Sequence, residues 1–163
     1  MKRRVLFLCT GNYYRSRFAE ELFNHRTALV NLDWIASSRG LALERGSSNV
    51  GPMSPHTRDA LEHRGILPLG RNRLPEACTF DDLDRADVVI ALDETEHRKL
   101  LHAKFSGWET RVTYWNVHDV DVTNPVNAIA SIDFEISYVI ERLQSGLASS
   151  TPAVLPSTNM DFD

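Results

Sequence analysis

Cysteine is scarce in this sequence: only Cys9 and Cys78 occur among its 163 residues. Two thiols cannot build the disulfide framework on which small secreted domains depend, so that class of protein is excluded. We therefore expect the chain to work in a reducing, cytoplasmic setting.

Long hydrophobic runs are absent as well. The first nine residues, basic and then apolar, resemble the start of a signal peptide, but the apolar part is too short and gives way to Gly11 and Asn12. No later stretch approaches the roughly 20 apolar residues that span a bilayer. The formal net charge of -4 argues weakly against binding to nucleic acid or to a membrane surface. We expect a soluble protein with neither partner, and the sequence leaves its oligomeric state open.

What is present suits one globular domain, since 163 residues with 42% hydrophobic and 25% charged residues are enough for a single core. Strand patterns alternate with helical patterns, which favours a doubly wound α/β fold with a parallel sheet. After Gly146 the periodicity ends and Ser, Thr and Pro dominate, so we expect a domain over 1–146 and a flexible tail over 147–163. Strands are predicted at 5–9, 34–38, 86–92 and 111–115, and helices from Ser16, from Ser54-Pro55 to Gly65, from Phe80, at 94–101 and at 128–143.

The junction of the first strand with the first helix carries the most distinctive motif. Five residues separate Cys9 from Arg15, which lets the backbone curl so that successive N–H groups and the helix N-terminus converge on one anion. The planar guanidinium of Arg15 is suited to grip two phosphate oxygens at once. The predicted phosphate-binding residues are Thr10, Gly11, Asn12, Tyr13, Tyr14, Arg15 and Ser16.

The same positive field acts on Cys9 at the start of this loop. Helix N-termini and nearby cations favour the thiolate form of a cysteine, and the hydroxyl of Ser16 adds a donor. A thiolate in line with a bound phosphorus is a nucleophile. A cysteine at a strand end is more often a small buried core residue, but the complete set of loop residues favours the catalytic interpretation.

With these residues in place, the sequence resembles the low-molecular-weight protein tyrosine phosphatase family, whose signature is Cys-x-Gly-Asn-x-Cys-Arg-Ser-Pro. The resemblance extends over roughly residues 2–143. It implies a four-stranded parallel sheet with helices on both faces, a cysteinyl-phosphate intermediate, and neither metal nor other cofactor. The implied substrates are phosphate monoesters, above all protein phosphotyrosine or a small aryl phosphate, with inorganic phosphate as product. The signature is matched at Cys9, Gly11, Asn12, Arg15 and Ser16.

Two further positions resemble family elements outside the loop. Ser38 resembles the serine that supports the phosphate loop through its asparagine, here Asn12. Asp93 resembles the aspartate of a segment that flanks the mouth of the active site.

The general acid is where the match is incomplete. The family supplies an aspartate in an Asp-Pro pair on a late loop, and this sequence has no Asp-Pro. Asp119 is the first candidate, because it lies about 110 residues after Cys9 with a similar apolar approach, and Asp121 is the second. Either is expected to protonate the leaving oxygen and later to activate water.

Other departures affect the rim of the site. Tyr14 replaces the second loop cysteine, so the vicinal disulfide of many family members cannot form. Arg17 replaces the usual proline, and we expect it to add positive charge near the mouth. The tyrosines that line the slot after Asp-Pro are missing, and candidates to replace them are Tyr13, Tyr14, Tyr114 and Trp115.

Two alternative functions are compatible with an intact anion loop. The first is an arsenate reductase, which would need an external thiol because only Cys78 is available beside the nucleophile. The second is a phosphate-binding module without catalysis, which the missing Asp-Pro suggests.

Overall fold

A computed structural model describes residues 1–120 and 122–146. Strands and helices alternate along the chain as expected from the sequence, and two short 3-10 turns are added. The strands are β1 Arg3–Cys9, β2 Trp34–Gly40, β3 Val88–Ala91 and β4 Thr113–Tyr114. The helices are α1 Arg15–Leu29, α2 Pro55–Glu62, α3 Phe80–Arg85, α4 Glu94–Lys104 and α5 Pro125–Gln144, and the 3-10 turns are Leu43–Gly46 and Trp108–Thr110.

The four strands form one parallel sheet in the order β2-β1-β3-β4. β1 is central and its last five residues are buried, because a parallel sheet is covered on both faces. The chain leaves β1 toward β2 and later returns on the other side to β3, which confirms the predicted doubly wound α/β fold. In such a fold ligands bind beyond the carboxyl ends of the strands where the order reverses, and Cys9 ends β1 at that point.

The core consists of two apolar clusters, one on each face of the sheet. Successive strand residues point to opposite faces, so Phe7 of β1 packs in the first cluster and Leu8 in the second. Cys9 belongs to the first cluster and Cys78 to the second. The two thiols therefore lie in different hydrophobic environments.

The main departure from the predicted boundaries is the start of α5. It begins at Pro125, ahead of the predicted 128, because the Asn124 side chain caps it by accepting a hydrogen bond from the Val126 amide at 2.8 Å. The strand predicted at 111–115 is reduced to Thr113–Tyr114. None of the helices in the described ranges is long and apolar enough to cross a membrane. The predicted tail, 147–163, and Asp121 lie outside the described residues.

Candidate active site

A cavity of about 380 Å³ opens at the carboxyl end of β1. Cys9 and Arg15 both line it, together with the candidate acid Asp119, which the chain reaches more than 100 residues later. The remaining lining residues are Thr10, Gly11, Tyr13, Tyr14, Arg45, Gly46, Asn49, Ser54, Pro55, His56 and Val120.

The sulfur of Cys9 has one polar side-chain partner in the described structure. Its Sγ lies 2.8 Å from the Oγ of Ser16, which is fully buried. Because Ser16 Oγ already accepts a hydrogen bond from Asn12 Nδ2 at 3.0 Å, its own proton is free to point at the sulfur. This contact ties the sulfur to the first turn of α1, which begins at Arg15.

Asn12 holds the loop in shape through both ends of its side chain. Nδ2 donates to Ser16 Oγ at 3.0 Å and to Ser38 Oγ at 2.9 Å, while Oδ1 accepts from Arg73 Nη1 at 3.1 Å and from the Glu76 amide at 3.0 Å. The Asn12 backbone adopts φ 49°, a left-handed conformation that asparagine tolerates better than most residues. All four hydrogen-bonding positions of the amide are thus satisfied.

The geometry places Ser38 beside Asn12, in the position that the family resemblance suggested. Arg73, which we did not predict from the sequence, also belongs to the group of residues that supports the loop. Its Nη2 donates to Ser38 Oγ at 3.0 Å and to Glu20 Oε2 at 2.9 Å. Ser38 in turn donates to Glu20 at 2.7 Å. No local sequence signal marks Arg73, because it reaches the loop from an irregular segment.

Arg15 is buried and its guanidinium is held from several sides. Nη1 donates to the Val117 carbonyl at 2.9 Å, and Nη2 donates to Asp119 Oδ2 and to Glu96 Oε2, each at 3.3 Å. Burial alone would lower the pKa of Arg15, but Cys9 and the surrounding carboxylates raise it above its usual value. The guanidinium therefore stays charged at the base of the cavity.

The candidate acid Asp119 lies on the loop between β4 and α5. Its side chain is 40% exposed, and its Oδ1 accepts a hydrogen bond from the Val120 amide at 2.8 Å. It lines the same cavity as Cys9. Asp121 lies outside the described residues, so the choice between these two carboxylates stays a prediction.

Of the four aromatic residues proposed to line the slot, Tyr13 and Tyr14 do so. The other two, Tyr114 and Trp115, are buried in the core, so the expectation for them was wrong. Tyr14 packs edge-on against His56, with ring centroids 5.8 Å apart. Burial, with the negative charge of Asp119, raises the pKa of Tyr14 to about 12, so its phenol stays protonated.

Arg17 does not add charge to the mouth, contrary to the expectation from sequence. Its side chain is fully buried and points away from the cavity. The guanidinium donates to the backbone carbonyls of Pro52, Gly70 and Arg73 at 2.7 to 3.0 Å. Burial, with the nearby charge of Arg73, lowers the pKa of Arg17.

A second polar cluster, also missed by sequence reasoning, lies behind the loop. The Thr10 hydroxyl donates to Glu96, and His97 Nε2 lies 3.1 Å from Thr10 Oγ1. His97 Nδ1 accepts from the Asp93 amide at 3.0 Å, which places the imidazole proton on Nε2. These side chains fix the start of α4 against the phosphate loop.

Among residues 1–120 and 122–146, no group of three or more His, Cys, Asp or Glu side chains is arranged to hold a metal ion.

Comparison with known proteins identifies two relatives by sequence and one solved structure by fold. A protein-arginine-phosphatase of Bacillus subtilis (strain 168) is 28% identical over 153 residues, which cover 88% of this chain and 93% of that protein. A low molecular weight phosphotyrosine protein phosphatase of Saccharomyces cerevisiae is 28% identical over 125 residues, or 72% of this chain and 73% of that one. The crystal structure of a low molecular weight protein tyrosine phosphatase from T. tengcongensis has the same fold, with a TM-score of 0.71 at 24% identity over 86% of this chain and 99% of that chain.

A family model gives the broadest match. The model described as low molecular weight phosphotyrosine protein phosphatase covers residues 4–153, which include the complete loop from Cys9 to Ser16. The resemblance drawn from that loop is therefore confirmed over nearly the whole sequence. The chain belongs to the low molecular weight phosphotyrosine protein phosphatase family and is an enzyme of this class.

Proposed function

We propose that this enzyme hydrolyses phosphotyrosine in proteins through a phosphate ester of Cys9. The observation that carries the proposal is the 2.8 Å contact between Cys9 Sγ and Ser16 Oγ, at a cavity walled by Tyr13 and Tyr14. The serine hydroxyl donates to the sulfur that attacks phosphorus, and the two aromatic walls suit the ring of a phosphotyrosine side chain.

The first step is transfer of the phosphoryl group to sulfur. The loop amides and Arg15 bind the phosphate oxygens, and the Cys9 thiolate attacks phosphorus, forming an S–P bond as the P–O bond to the leaving group breaks. Asp119, or Asp121 as second candidate, gives its proton to the leaving oxygen. General acid catalysis of this kind contributes about 10² to 10⁴ in rate.

The second step regenerates the enzyme. The same carboxylate removes a proton from water, whose oxygen attacks phosphorus while the S–P bond breaks and its electron pair returns to sulfur. Inorganic phosphate is then released. No step requires a metal ion or an organic cofactor.

The substrates are phosphorylated proteins and small aryl phosphates, met in the cytoplasm. The Bacillus subtilis relative named a protein-arginine-phosphatase makes phosphoarginine the second candidate substrate, because Asp119 beside two aromatic walls also suits a guanidinium group. Matched peptides carrying either phosphotyrosine or phosphoarginine distinguish the two. A higher kcat/KM for the phosphoarginine peptide would overturn the tyrosine assignment and leave the Cys9 chemistry intact.

The alternative of an arsenate reductase with an external thiol is not favoured, because the relatives reported above are named as phosphatases. An internal relay through Cys78 is not favoured either. Burial, with the negative charge of Asp82, raises the pKa of the Cys78 thiol to about 12, so it is a poor nucleophile at neutral pH. Cys78 also lies in the second core cluster, apart from Cys9 in the first.

Cys9→Ser tests the nucleophile: turnover of p-nitrophenyl phosphate is expected to vanish while vanadate binding is kept, and retained turnover would overturn the assignment.

The pH–rate profiles of wild type, Asp119→Asn and Asp121→Asn test the acid. The variant that lacks the true general acid is expected to lose the basic limb of its pH–rate profile. Wild-type activity near zero, unchanged in both variants, would instead identify a phosphate-binding module.

A further inference from the structure

The loop that carries Asp119 is attached to the body of the protein just before that residue. The Val117 amide donates to the Leu92 carbonyl at 2.8 Å, and the Val117 carbonyl accepts from Arg15 Nη1 at 2.9 Å. These bonds fix the loop up to Val117. Beyond Val117, Asp119 accepts from Arg15 Nη2 at 3.3 Å on its Oδ2 and from the Val122 and Thr123 amides at 2.9 Å on its carbonyl. One further side-chain contact lies between Val117 and Asp119.

That contact is made by His118 and Asp93. His118 Nδ1 lies 2.7 Å from Asp93 Oδ2. Because an ionised carboxylate only accepts, the imidazole carries its proton on Nδ1 and donates. A donor–acceptor pair this short between an imidazole and a carboxylate is a strong, directional hydrogen bond.

Asp93 is a rigid anchor for this bond. Its side chain is 5% exposed, and its Oδ1 accepts from the Thr95 amide at 3.0 Å as the N-cap of α4. Its Oδ2 also lies 3.9 Å from Arg15 Nη1. One buried carboxylate thus joins the start of α4, the phosphate-binding arginine and the loop of the candidate acid.

We propose that His118 is a positioning residue for catalysis: its hydrogen bond to Asp93 sets the side chain of Asp119 toward the phosphate site. The inference rests on the proposed function, in which Asp119 protonates the leaving group. His118 itself does not line the cavity, so it acts through the residue that follows it. Val120 follows Asp119 where the family has a proline, and its amide donates to Asp119 Oδ1 at 2.8 Å, so the His118–Asp93 bond acts together with this local contact.

The proposal predicts a loss that depends on the leaving group. Protonation by Asp119 matters most for a poor leaving group such as phenol or the tyrosine side chain, and little for p-nitrophenol. We expect His118→Ala to lower kcat/KM, which reports the phosphoryl transfer to Cys9, about 30-fold on phenyl phosphate and only a few-fold on p-nitrophenyl phosphate, within the roughly 100-fold cost of misplacing a catalytic group by about 1 Å. Phosphate inhibition is expected to change little.

A conservative variant separates positioning from simple damage to the fold. The side-chain amide of asparagine presents an N–H close to where the imidazole holds Nδ1–H, so His118→Asn is expected to restore most of the lost rate on phenyl phosphate. His102→Ala serves as the control, because His102 is exposed and pairs with Glu109 away from the cavity. Its leaving-group dependence is expected to match that of wild type.

A double variant tests whether His118 acts through Asp119. In the Asp119→Asn background, His118→Ala is expected to cause no further leaving-group-dependent loss. Equal losses of kcat/KM on both substrates, or an added leaving-group-dependent loss of kcat/KM in that background, would overturn the positioning role alone. If Asp119→Asn shows the same difference between phenyl phosphate and p-nitrophenyl phosphate as wild type, the acid assignment and this inference are both overturned. The assignment of Cys9 as nucleophile would stand.

Discussion

Arg17 Nη1 donates a hydrogen bond of 2.7 Å to the carbonyl of Pro52. The same guanidinium binds the carbonyls of Gly70 and Arg73, so one buried side chain of α1 holds two separate segments. The first segment leads into the cavity wall at Ser54. The second carries Arg73, which supports Asn12.

Replacing Arg17 by methionine is expected to destabilise the protein more than it affects catalytic chemistry. The change leaves three backbone carbonyls without their donor, and each buried polar group so orphaned costs about 1 to 3 kcal/mol. Since water reaches part of these segments, we expect a total loss of about 3 kcal/mol, measured by urea unfolding. Arg85→Met is the control, because the Arg85–Asp81 ion pair is exposed and worth less than about 1 kcal/mol. Equal losses of unfolding free energy in both variants would contradict the stabilising role of the Arg17 hydrogen bonds.

The position of the Cys9–Ser16 loop between β1 and α1 and the order of elements were predictable because their signals are local. A buried apolar run, a glycine loop and a helix starting near Arg15 lie within about 20 consecutive residues. The same holds for the Ser54-Pro55 start of α2, where the Ser54 hydroxyl accepts from the His56 amide at 3.1 Å. The Asn124-Pro125 start of α5 uses the same capping device, so its signal was present in the sequence although the helix was predicted to begin later.

The roles of Arg17, Arg73 and Glu96 were not predictable from local sequence. An arginine in the first turns of a helix is normally exposed, and Arg17 is buried only because segments around residues 52 and 70–73 fold over it. Glu96 lies on the first turn of α4, where acidic residues are favoured whatever their function. Its contact with Arg15 depends on the pairing of β3 with β1, which places the start of α4 beside the end of β1.

Asn12 is predicted to act through its side chain rather than through its backbone. Asn12→Gly and Asn12→Ala both remove the four hydrogen bonds of the amide, but only glycine adopts the φ of 49° without strain. We expect both variants to lose about 100-fold in kcat/KM on p-nitrophenyl phosphate, because the loop is no longer held in its binding conformation. The alanine variant should be less stable than the glycine variant by about 1 kcal/mol. Near-wild-type activity of Asn12→Gly would mean that the backbone conformation alone matters.

Arg45 is predicted to favour substrates with acidic residues near the phosphorylated side chain. It is exposed and lines the cavity that contains Cys9. The adjacent Glu44 forms its salt bridge with Lys104, at 2.9 Å, so it neutralises Arg45 only in part. The test uses two matched phosphotyrosine peptides, one with glutamate and one with lysine beside the tyrosine. We expect Arg45→Glu to lower the ratio of kcat/KM for the glutamate peptide to kcat/KM for the lysine peptide about fivefold, the effect of roughly 1 kcal/mol between exposed charges.

Lys99→Glu is the matched control for this charge reversal. Lys99 is exposed on α4 and does not line the cavity, so the ratio should stay at its wild-type value. Added salt should weaken the preference of the wild type, since exposed charges are screened. An unchanged ratio in Arg45→Glu would exclude Arg45 as a determinant of specificity.

The buried imidazole of His97 predicts a loss of stability in mild acid. Burial, together with the charge of Arg15, holds the pKa of His97 well below its usual value near 6.5, so the folded protein keeps this side chain neutral. The unfolded chain takes up a proton there below about pH 6.5. Because the unfolded state then binds more protons, stability falls as pH falls, by up to about 1.4 kcal/mol per pH unit for this one group.

His97→Gln removes this titration while keeping a polar side chain beside Thr10. At pH 7.5 the variant should be less stable than wild type, because it loses the bond that the Asp93 amide donates to His97 Nδ1 at 3.0 Å. That difference is expected to narrow steadily between pH 6.5 and pH 5, as wild type alone loses the His97 contribution. Urea unfolding across this range measures the difference, with the exposed His63→Gln as control. A gap that stays constant with pH would mean that His97 takes up its proton as readily in the folded protein as in the unfolded chain, and the bond donated to its Nδ1 would then have to break on protonation.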